Sequence, residues 1–550
     1  MSKEGQDLLK RADAGFEQQQ QHLNIWKESM SYCLPRKQWV FKGYNNNQPY
    51  IPDAKLQNSV AMKALRDLAS GMLSAFMNPS EIWAQWEPSD DLPARNEKEV
   101  KAWYSNATVV GMRAFSASGL YDSMNEALLD AGATGTTFVS IEGQVPGTNS
   151  PLNFKTWDVG SYAIGENSAG VVDRVWRETD LTVDQAMQQW PDYRPERWTK
   201  LSPDQRINKT ETFVWEIIPR EEELVGMNPG PTGMPYKGTV VERNSNDVVW
   251  EGGWPEFPGS CYRFLRQSGT NPWGTGPGIE ALPDCRGTNF LDTAVADGFG
   301  KMVDPPMAVK DDMRGVLDFR MGGVSAVSDM SQMPQPLFTP GQGIQAANEF
   351  LDRKKAEIGQ HFFKDLFTPF LNDPRTLKAA QVYEMKSDLL AVFAPFGHRF
   401  LAFVSMFLER CFMVLLRQGL FGPIPRGAFA IDGRGRPKFL YPKVTHQSRM
   451  ALELQNLAKQ NLRQILADMN PVWAVAPGEI QRMNWGQIIK LLGGNSPVLP
   501  DIIRTDEEFA QIQAAMQAAA QQQQQQEMLA QFATKNPQYA AAALGGGLPQ

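Results

Sequence analysis

His22, His361, His398 and His446 are the only histidines in 550 residues, and Cys33, Cys261, Cys285 and Cys411 are the only cysteines. No histidine sits in an HExxH pattern or beside a cysteine at ligand spacing, so a metal-hydrolase centre fails on ligand supply. The cysteines form no CxxC pair, which supports neither a zinc ribbon nor a disulfide scaffold; they read as reduced, mostly buried thiols. Asp90-Asp91 and Asp311-Asp312 are adjacent in sequence, where side chains diverge, so they read as solvated loop charge rather than a nuclease pair. The expectation is a protein with no catalytic residues, no metal and no cofactor, and an unrecognised enzyme site is the reading least favoured.

Two stretches could meet phosphate. Gly274-Thr-Gly276-Pro-Gly278 is glycine-rich, but no GK[ST] follows and Pro277 removes a backbone donor that a phosphate cradle would use, so it reads as a structural turn. GxxxxGK[ST] occurs nowhere in the chain, which argues against an ATP-driven motor. The second stretch is Arg353-Lys354-Lys355, followed by Lys364, Arg375 and Lys378. Between residues 343 and 378 six basic residues stand against five acidic ones, a net of +1. Alone, that reads as a solvated helix face. The whole chain carries a formal charge of −7 and a pI near 5.4, which works against a dedicated DNA binder; any DNA contact should be local and weak. Trp83 and Trp86, beside Pro79 and Pro88, could stack bases but read as core or interface anchors.

The elements that must position these residues follow from periodicity. A single core stops growing near roughly 250–300 residues, so at least two structural regions are expected. The opening third reads as helix over 5–32, 55–77, 97–117 and 120–131, with Leu56, Val60, Leu65, Leu68, Met72 and Phe76 on one stripe of the second and Val100, Trp103, Ala107 and Val110 on the third. From Thr136 the period changes: TTFVSIE, VVDRVWRE and ETFVWEII are strand-like runs between Gly, Pro and Asn clusters, the pattern of an antiparallel sheet. Thr182 and Gln185 can form a capping box for a helix that stops at Trp190-Pro191.

A helix over 279–301 and another through Ile344, Ala347, Leu351, Ile358, Phe362 and Leu366 flank an insertion of roughly forty residues, a helical hairpin with a tip. Next comes a long helix carrying Leu389, Val392, Phe393, Phe400, Val404, Phe407, Cys411 and Leu415, which Pro395 should kink. A short strand pair around GRGRPKFLYP, a helix near 446–468 and a low-complexity Ala/Gln-rich end complete the chain. The start lacks the apolar region of a signal peptide, and the most apolar run is broken by Glu409 and Arg410, so a soluble protein made in a cytoplasm is expected.

The order of several segments resembles the podovirus head-to-tail connector (portal) family. They are Gly71-Met-Leu-Ser-Ala-Phe-Met-Asn-Pro79 running into Ile82-Trp83, and Asp130-Ala-Gly-Ala-Thr-Gly135 through Glu142. Phe264-Leu-Arg266 with Trp273-Gly-Thr-Gly276-Pro277 and Ala281-Leu-Pro283 through Asn289 is similar to its central stretch, and Met302-Val-Asp-Pro305-Pro306 to the passage after it. Thr376-Leu-Lys-Ala-Ala380 through Glu384, Arg417-Gln-Gly419 and Pro423-Ile-Pro425 resemble its late helix. The resemblance runs from about residue 5 to about residue 470.

It implies an α+β, mainly helical subunit with small antiparallel sheets, twelve copies of which form a ring at one capsid vertex. The wing would take 1–276 and 367–470, the stem helices 277–303 and 343–366, the clip 304–342, and the crown with the Ala/Gln-rich tail 471–550; the break at 367–375 would be a channel loop. Double-stranded DNA would pass through the ring without sequence readout, with Arg353, Lys354, Lys355, Arg375 and Lys378 as phosphate contacts; repeated weak contacts suit sliding. Implied partners are major capsid and scaffolding proteins, the terminase large subunit and then tail adaptor proteins, with no membrane. The place implied is the virion, between head and tail, after assembly in the host cytoplasm. The runner-up is a tail or internal virion protein in which the same helices build another ring or a fibre.

Overall fold

The computed structural model of the chain describes residues 3–40, 56–92, 97–144, 149–226, 230–267, 271–303, 307–308, 335–336, 343–367, 379–431, 437–448 and 450–452. Over half of these residues are helical, and every described strand pair is antiparallel.

Helix α1 (Lys3–Cys33) uses its two halves differently. Leu8, Ala12 and Phe16 recur every four residues and lie on a five-stranded sheet, while Trp26, Met30 and Cys33 are buried further along. Helix α2 (Val60–Phe76) buries Leu65, Leu68, Met72 and Phe76 of the stripe read from sequence, but it starts later than the expected 55, so that Leu56 precedes it and Val60 is only half-buried. Strand β1 (Ala84–Glu87) then leads to α3 (Lys98–Ala117), on which Gly111 rather than the expected Val110 is buried; a side chain at 111 would overlap the Trp86 ring. Trp83 and Trp86 are 1% and 3% exposed, and Trp86 meets Phe115 and Phe412 edge-on; both tryptophans are core anchors.

Helix α4 (Leu120–Thr134) ends on Gly135 at φ 89°, whose N–H donates to Ala131 O at 2.8 Å. That left-handed residue throws the chain into β2 (Thr136–Gly143), the middle strand of a sheet in which β3 (Leu152–Trp157) lies on one side. A second sheet, ordered β4-β5-β6-β7-β8, starts with β4 (Tyr162–Glu166) and β5 (Val172–Thr182). Three short helices follow: α5 (Val183–Gln189), α6 (Glu196–Thr199) and α7 (Pro203–Asn208). The Thr182–Gln185 capping box forms as read, with Thr182 Oγ1 accepting from Gln185 N at 3.2 Å and Gln185 Oε1 accepting from Thr182 N at 3.0 Å. Strands β6 (Thr210–Pro219), β7 (Tyr236–Glu242) and β8 (Val248–Trp254) complete this sheet. It is packed on both faces, by α1 through Trp176, Val214 and Val241, and by α5 and its neighbours through Trp190, Trp198 and Phe213.

Strand β9 (Gly259–Arg263) returns to pair with β2, and β10 (Leu265–Arg266) pairs with β11 (Gly274–Thr275). The glycine-rich segment is a packing device: a Cβ at Gly276 would overlap the carbonyl of Ala131, and one at Gly135 would overlap the backbone of Thr275. Only glycine lets these two backbones touch. Trp273, fully buried, meets Trp26 edge-on at 4.8 Å and anchors this turn to α1.

After α8 (Pro277–Glu280) come α9 (Leu282–Val303), a two-residue ladder of β12 (Met307–Ala308) with β13 (Gln335–Pro336), α10 (Gly343–His361), α11 (Lys364–Phe367) and α12 (Ala379–Arg417). Apart from that ladder, the expected clip lies outside the described residues, as do 368–378 and 453–550. Helix α12 continues through Pro395 and carries the core as a phenylalanine row, with Phe393, Phe400, Phe403, Phe407 and Phe412 all at most 2% exposed. Val392, expected on that stripe, instead points outward and is 63% exposed. Strands β14 (Phe429–Ile431) and β15 (Pro437–Phe439) form the expected hairpin. His446 was expected to begin a helix; it belongs to β16 (Lys443–His446), which pairs with β1 across more than 350 residues of sequence, and helix resumes only at Met450. No helix among the described residues is long and apolar enough to cross a membrane.

Candidate nucleic-acid interface

Helices α9 and α10 pack as a two-helix hairpin whose base is held by the body. Arg286 donates two hydrogen bonds of 2.5 Å to the Glu28 carboxylate of α1. Leu282, Cys285 and Thr288 of α9 are buried, as are Leu351, Ile358 and Phe362 on the α10 side. Beyond Thr288 no residue of α9 is buried. Phe290, Phe299, Met302 and Val303 are 72%, 46%, 41% and 87% exposed, and Phe350 across the hairpin is 40% exposed.

The basic cluster sits on α10, and the structure separates its members. Lys354 Nζ lies 2.9 Å from Asp284 Oδ1 and 2.6 Å from Glu357 Oε2; Lys355 Nζ lies 3.0 Å from Asp292 Oδ1. Both lysines thus tie α10 to α9. His361 Nε2 lies 3.2 Å from the other oxygen of Asp284. Burial opposes ionisation of Asp284, but the hydrogen bonds from Lys354 and His361 outweigh it and hold the carboxyl below its ordinary range. The Lys354 ammonium is raised by the hydrogen bonds to Glu357 and Asp284. Arg353 differs: its side chain is 66% exposed, lies over the Phe350 ring at 5.0 Å and meets Glu357 only at 3.9 Å. Arg353 therefore presents most of its charge to solvent. Arg375 and Lys378 lie outside the described residues.

Where the hairpin meets the body, Phe363 adopts φ 53°, a left-handed conformation that costs a non-glycine residue about 1–2 kcal/mol. Its ring offsets this by packing on Phe393 and Phe396, each at 5.2 Å. The turn redirects the chain into α11, whose Phe367 fills the notch left at Gly71 of α2. Sequence reasoning passed over Phe363, since no residue-type signal marks a phenylalanine for this conformation; Gly71 was the available hint, as a glycine inside a helix stripe.

Two of the remaining histidines are engaged in packing and hydrogen bonds. His22 stacks on Trp26 and meets Asn271 at 2.7 Å; His446 lies 2.8 Å from Ser405 Oγ, and burial lowers its pKa to about 4. Cys285, distant in sequence, neighbours Cys33, and that neighbour together with burial pushes the Cys33 thiol well up. All four cysteines are free, with Cys261 partly exposed and the others buried. Among the described residues no group of three or more His, Cys, Asp or Glu could hold a metal ion.

A sequence profile described as "Bacteriophage head to tail connecting protein" matches residues 5–503, further than the motifs alone reached. The chain is 23% identical over 523 residues to the "Probable portal protein" of Bordetella phage BPP-1, covering 90% of each chain. It is 22% identical over 547 residues to the "Portal protein" of Salmonella phage epsilon15, covering 96% of this chain and 95% of that one.

Proposed function

Because this chain belongs to the family of bacteriophage head to tail connecting proteins, we propose that it is a portal subunit, twelve copies of which close into a ring at one capsid vertex and form the channel for genome packaging and ejection. The observation that carries the reading is the hairpin. Two helices cannot cover each other on all sides, and Phe290, Phe299, Val303 and Phe350 stand in solvent on a single chain. Neighbouring hairpins set side by side around an axis would bury them, and heterologous contacts that close by rotation leave an axial hole.

In this reading 1–276 and 367–470 form the wing, 277–303 and 343–366 the stem, 304–342 the clip, and 471–550 the crown and tail. The wing faces capsid and scaffolding proteins. The clip takes the terminase large subunit during packaging and tail adaptor proteins afterwards. The protein resides in the virion between head and tail, after assembly in the host cytoplasm. DNA passes by phosphate contacts without base readout, and the ion pairs order the candidates: Arg353 first, Lys354 and Lys355 with the charge that Asp284, Glu357 and Asp292 leave them, and Arg375 and Lys378 from the proposed channel-loop region. A weakly charged ring suits a duplex that must slide.

Electron microscopy of the purified protein, with native mass to count subunits, tests the reading. Rings with a hole wide enough for duplex DNA, at twelve-fold or neighbouring symmetry, are expected. A monomer or small dimer that persists at high concentration would overturn it.

A further inference from the structure

Away from the hairpin, a cleft of about 340 Å³ opens between β9, the turn joining β4 to β5, and α12. One wall is backbone. Phe264 N donates to Gly135 O and Ile141 N to Pro258 O, at the two ends of the register that pairs Tyr262 with Thr137 and Ser260 with Val139. Hydrogen-bonded positions alternate in an antiparallel ladder, so Ser260 and Tyr262 turn their backbone groups toward β2, and Gly259, Cys261 and Arg263 turn theirs away. β9 is the end strand in the order β3-β2-β9, and no described strand pairs with its outer side. Gly259, Cys261 and Arg263 all line the cleft.

The other walls carry apolar rim and charge. Val171, Met406 and Tyr441 line the cleft while being 45%, 46% and 50% exposed. Arg410, 7% exposed, is held by Glu256, which also holds Arg417, and Arg263 is held by Glu166. Those pairs account for the cations. What remains is carboxylate: Glu409 has no ion pair among the described residues and is pushed up by burial, and Asp173, also raised by burial, pairs with its chain neighbour Arg174 at 3.4 Å.

We propose that this cleft docks an extended segment of another polypeptide, which adds as a strand to the edge of β9 that no described strand pairs and sets a lysine or arginine between Asp173 and Glu409. An open strand edge supplies affinity through main-chain hydrogen bonds and its flanking pockets supply selection. Glu409, with Asp173 beside it in the same lining, selects a cation, and the rim residues take the apolar neighbours on either side of it. Ligand pockets begin at roughly 300 Å³, so the cleft admits a few residues of strand rather than a folded domain. The inference stands apart from the ring reading and can fail without it.

The test is hydrogen exchange by mass spectrometry on the full chain with a capped peptide, Thr-Val-Arg-Val-Thr, at up to millimolar concentration. Slowed exchange confined to 259–263 is expected, with binding weakened about tenfold by glutamate in place of the peptide arginine or by Glu409→Gln in the protein. Cys261→Pro removes the outward N–H, along with the thiol, and should abolish binding while leaving the ladder bonds of Ser260 and Tyr262 to β2 in place. Should that variant fail to fold, a peptide methylated on its backbone nitrogens removes the same hydrogen bonds from the other side. No protection at 259–263, or equal protection by the glutamate peptide, overturns the proposal. Protection that grows with protein concentration and no peptide would give the edge to a second copy and overturn the assignment to another polypeptide.

Discussion

The body around α12 and the α9–α10 hairpin use phenylalanine in opposite ways. In the body, Phe393, Phe400, Phe403, Phe407 and Phe412 turn inward on one helix and meet Phe76, Tyr262, Phe154 and Trp86 from four other segments. In the hairpin, Phe290, Phe299 and Phe350 turn outward. The body thus buries its phenylalanine row within one chain, whereas the hairpin combines a short buried row with ion pairs and leaves much of its apolar surface exposed. If the proposed ring buries those outward rings, stability and assembly rest on different residues of the same type, and substitution should separate them.

The largest effect is expected from Phe407→Ala, which removes a fully buried ring and should cost about 3–5 kcal/mol, read as the shift in urea unfolding of the dilute chain. Phe290→Ser at a position 72% exposed should change that unfolding by less than about 0.5 kcal/mol while shifting native mass from ring to free subunit. If Phe290→Ser destabilises the dilute chain as much as Phe407→Ala, the contrast between the two regions collapses.

Acid separates the regions next. Burial pushes the body carboxyl of Asp130 up to about 6, even though Lys37 Nζ lies 2.9 Å from both its oxygens. A folded pKa above the unfolded one means that this group's contribution is fully present below about pH 4 and is lost as pH rises through 6. Asp284 of the hairpin is held low, so its contribution is present above about pH 4 and lost as pH falls below it. Asp130→Asn should then flatten the pH dependence of unfolding between pH 4 and 7 by on the order of 2–3 kcal/mol, and Asp284→Asn should leave that window unchanged. A steeper profile in Asp130→Asn would contradict the sign.

The two regions were also unequally legible. Helix stripes such as Leu65-Leu68-Met72-Phe76, the Thr182–Gln185 box and the strand-like runs are local patterns, and local patterns survive in sequence. The pairing of β1 with β16 and the seating of Gly276 against Ala131 are long-range contacts that no local period encodes. The basic cluster shows the same limit in the hairpin. A charge count sees Lys354 and Lys355 as two cations and is blind to Asp284 and Asp292, which approach from the other helix. Arg375 and Lys378 still rest on sequence alone.

That blindness sets a prediction within the hairpin. Arg353 is the exposed member of the cluster, so Arg353→Glu should weaken the salt-sensitive association of DNA with assembled rings, measured as a shallower dependence on salt, and leave ring assembly unchanged. Lys354→Glu sets a carboxylate against Asp284 and Glu357 and should loosen the hairpin itself, so that ring yield falls along with DNA association. Equal ring yields in the two variants would mean that Lys354 does not fasten α10 to α9.

The smallest effect asks how much such a fastener contributes. Lys355 and Asp292 are 33% and 16% exposed, intermediate between a surface pair and a buried one. Truncating either alone leaves the other partly desolvated without its partner, so single substitutions overstate the interaction. A double-mutant cycle of Lys355→Ala and Asp292→Ala removes that excess and should return a coupling of about 0.5–1 kcal/mol on a single chain. A coupling near zero would assign the hairpin's geometry to the buried row Leu351, Ile358 and Phe362 alone and would release Lys355 to meet phosphate. A coupling well above 1 kcal/mol would mean that Lys355 is committed to Asp292, and Arg353 alone would then remain as the exposed cation of the cluster.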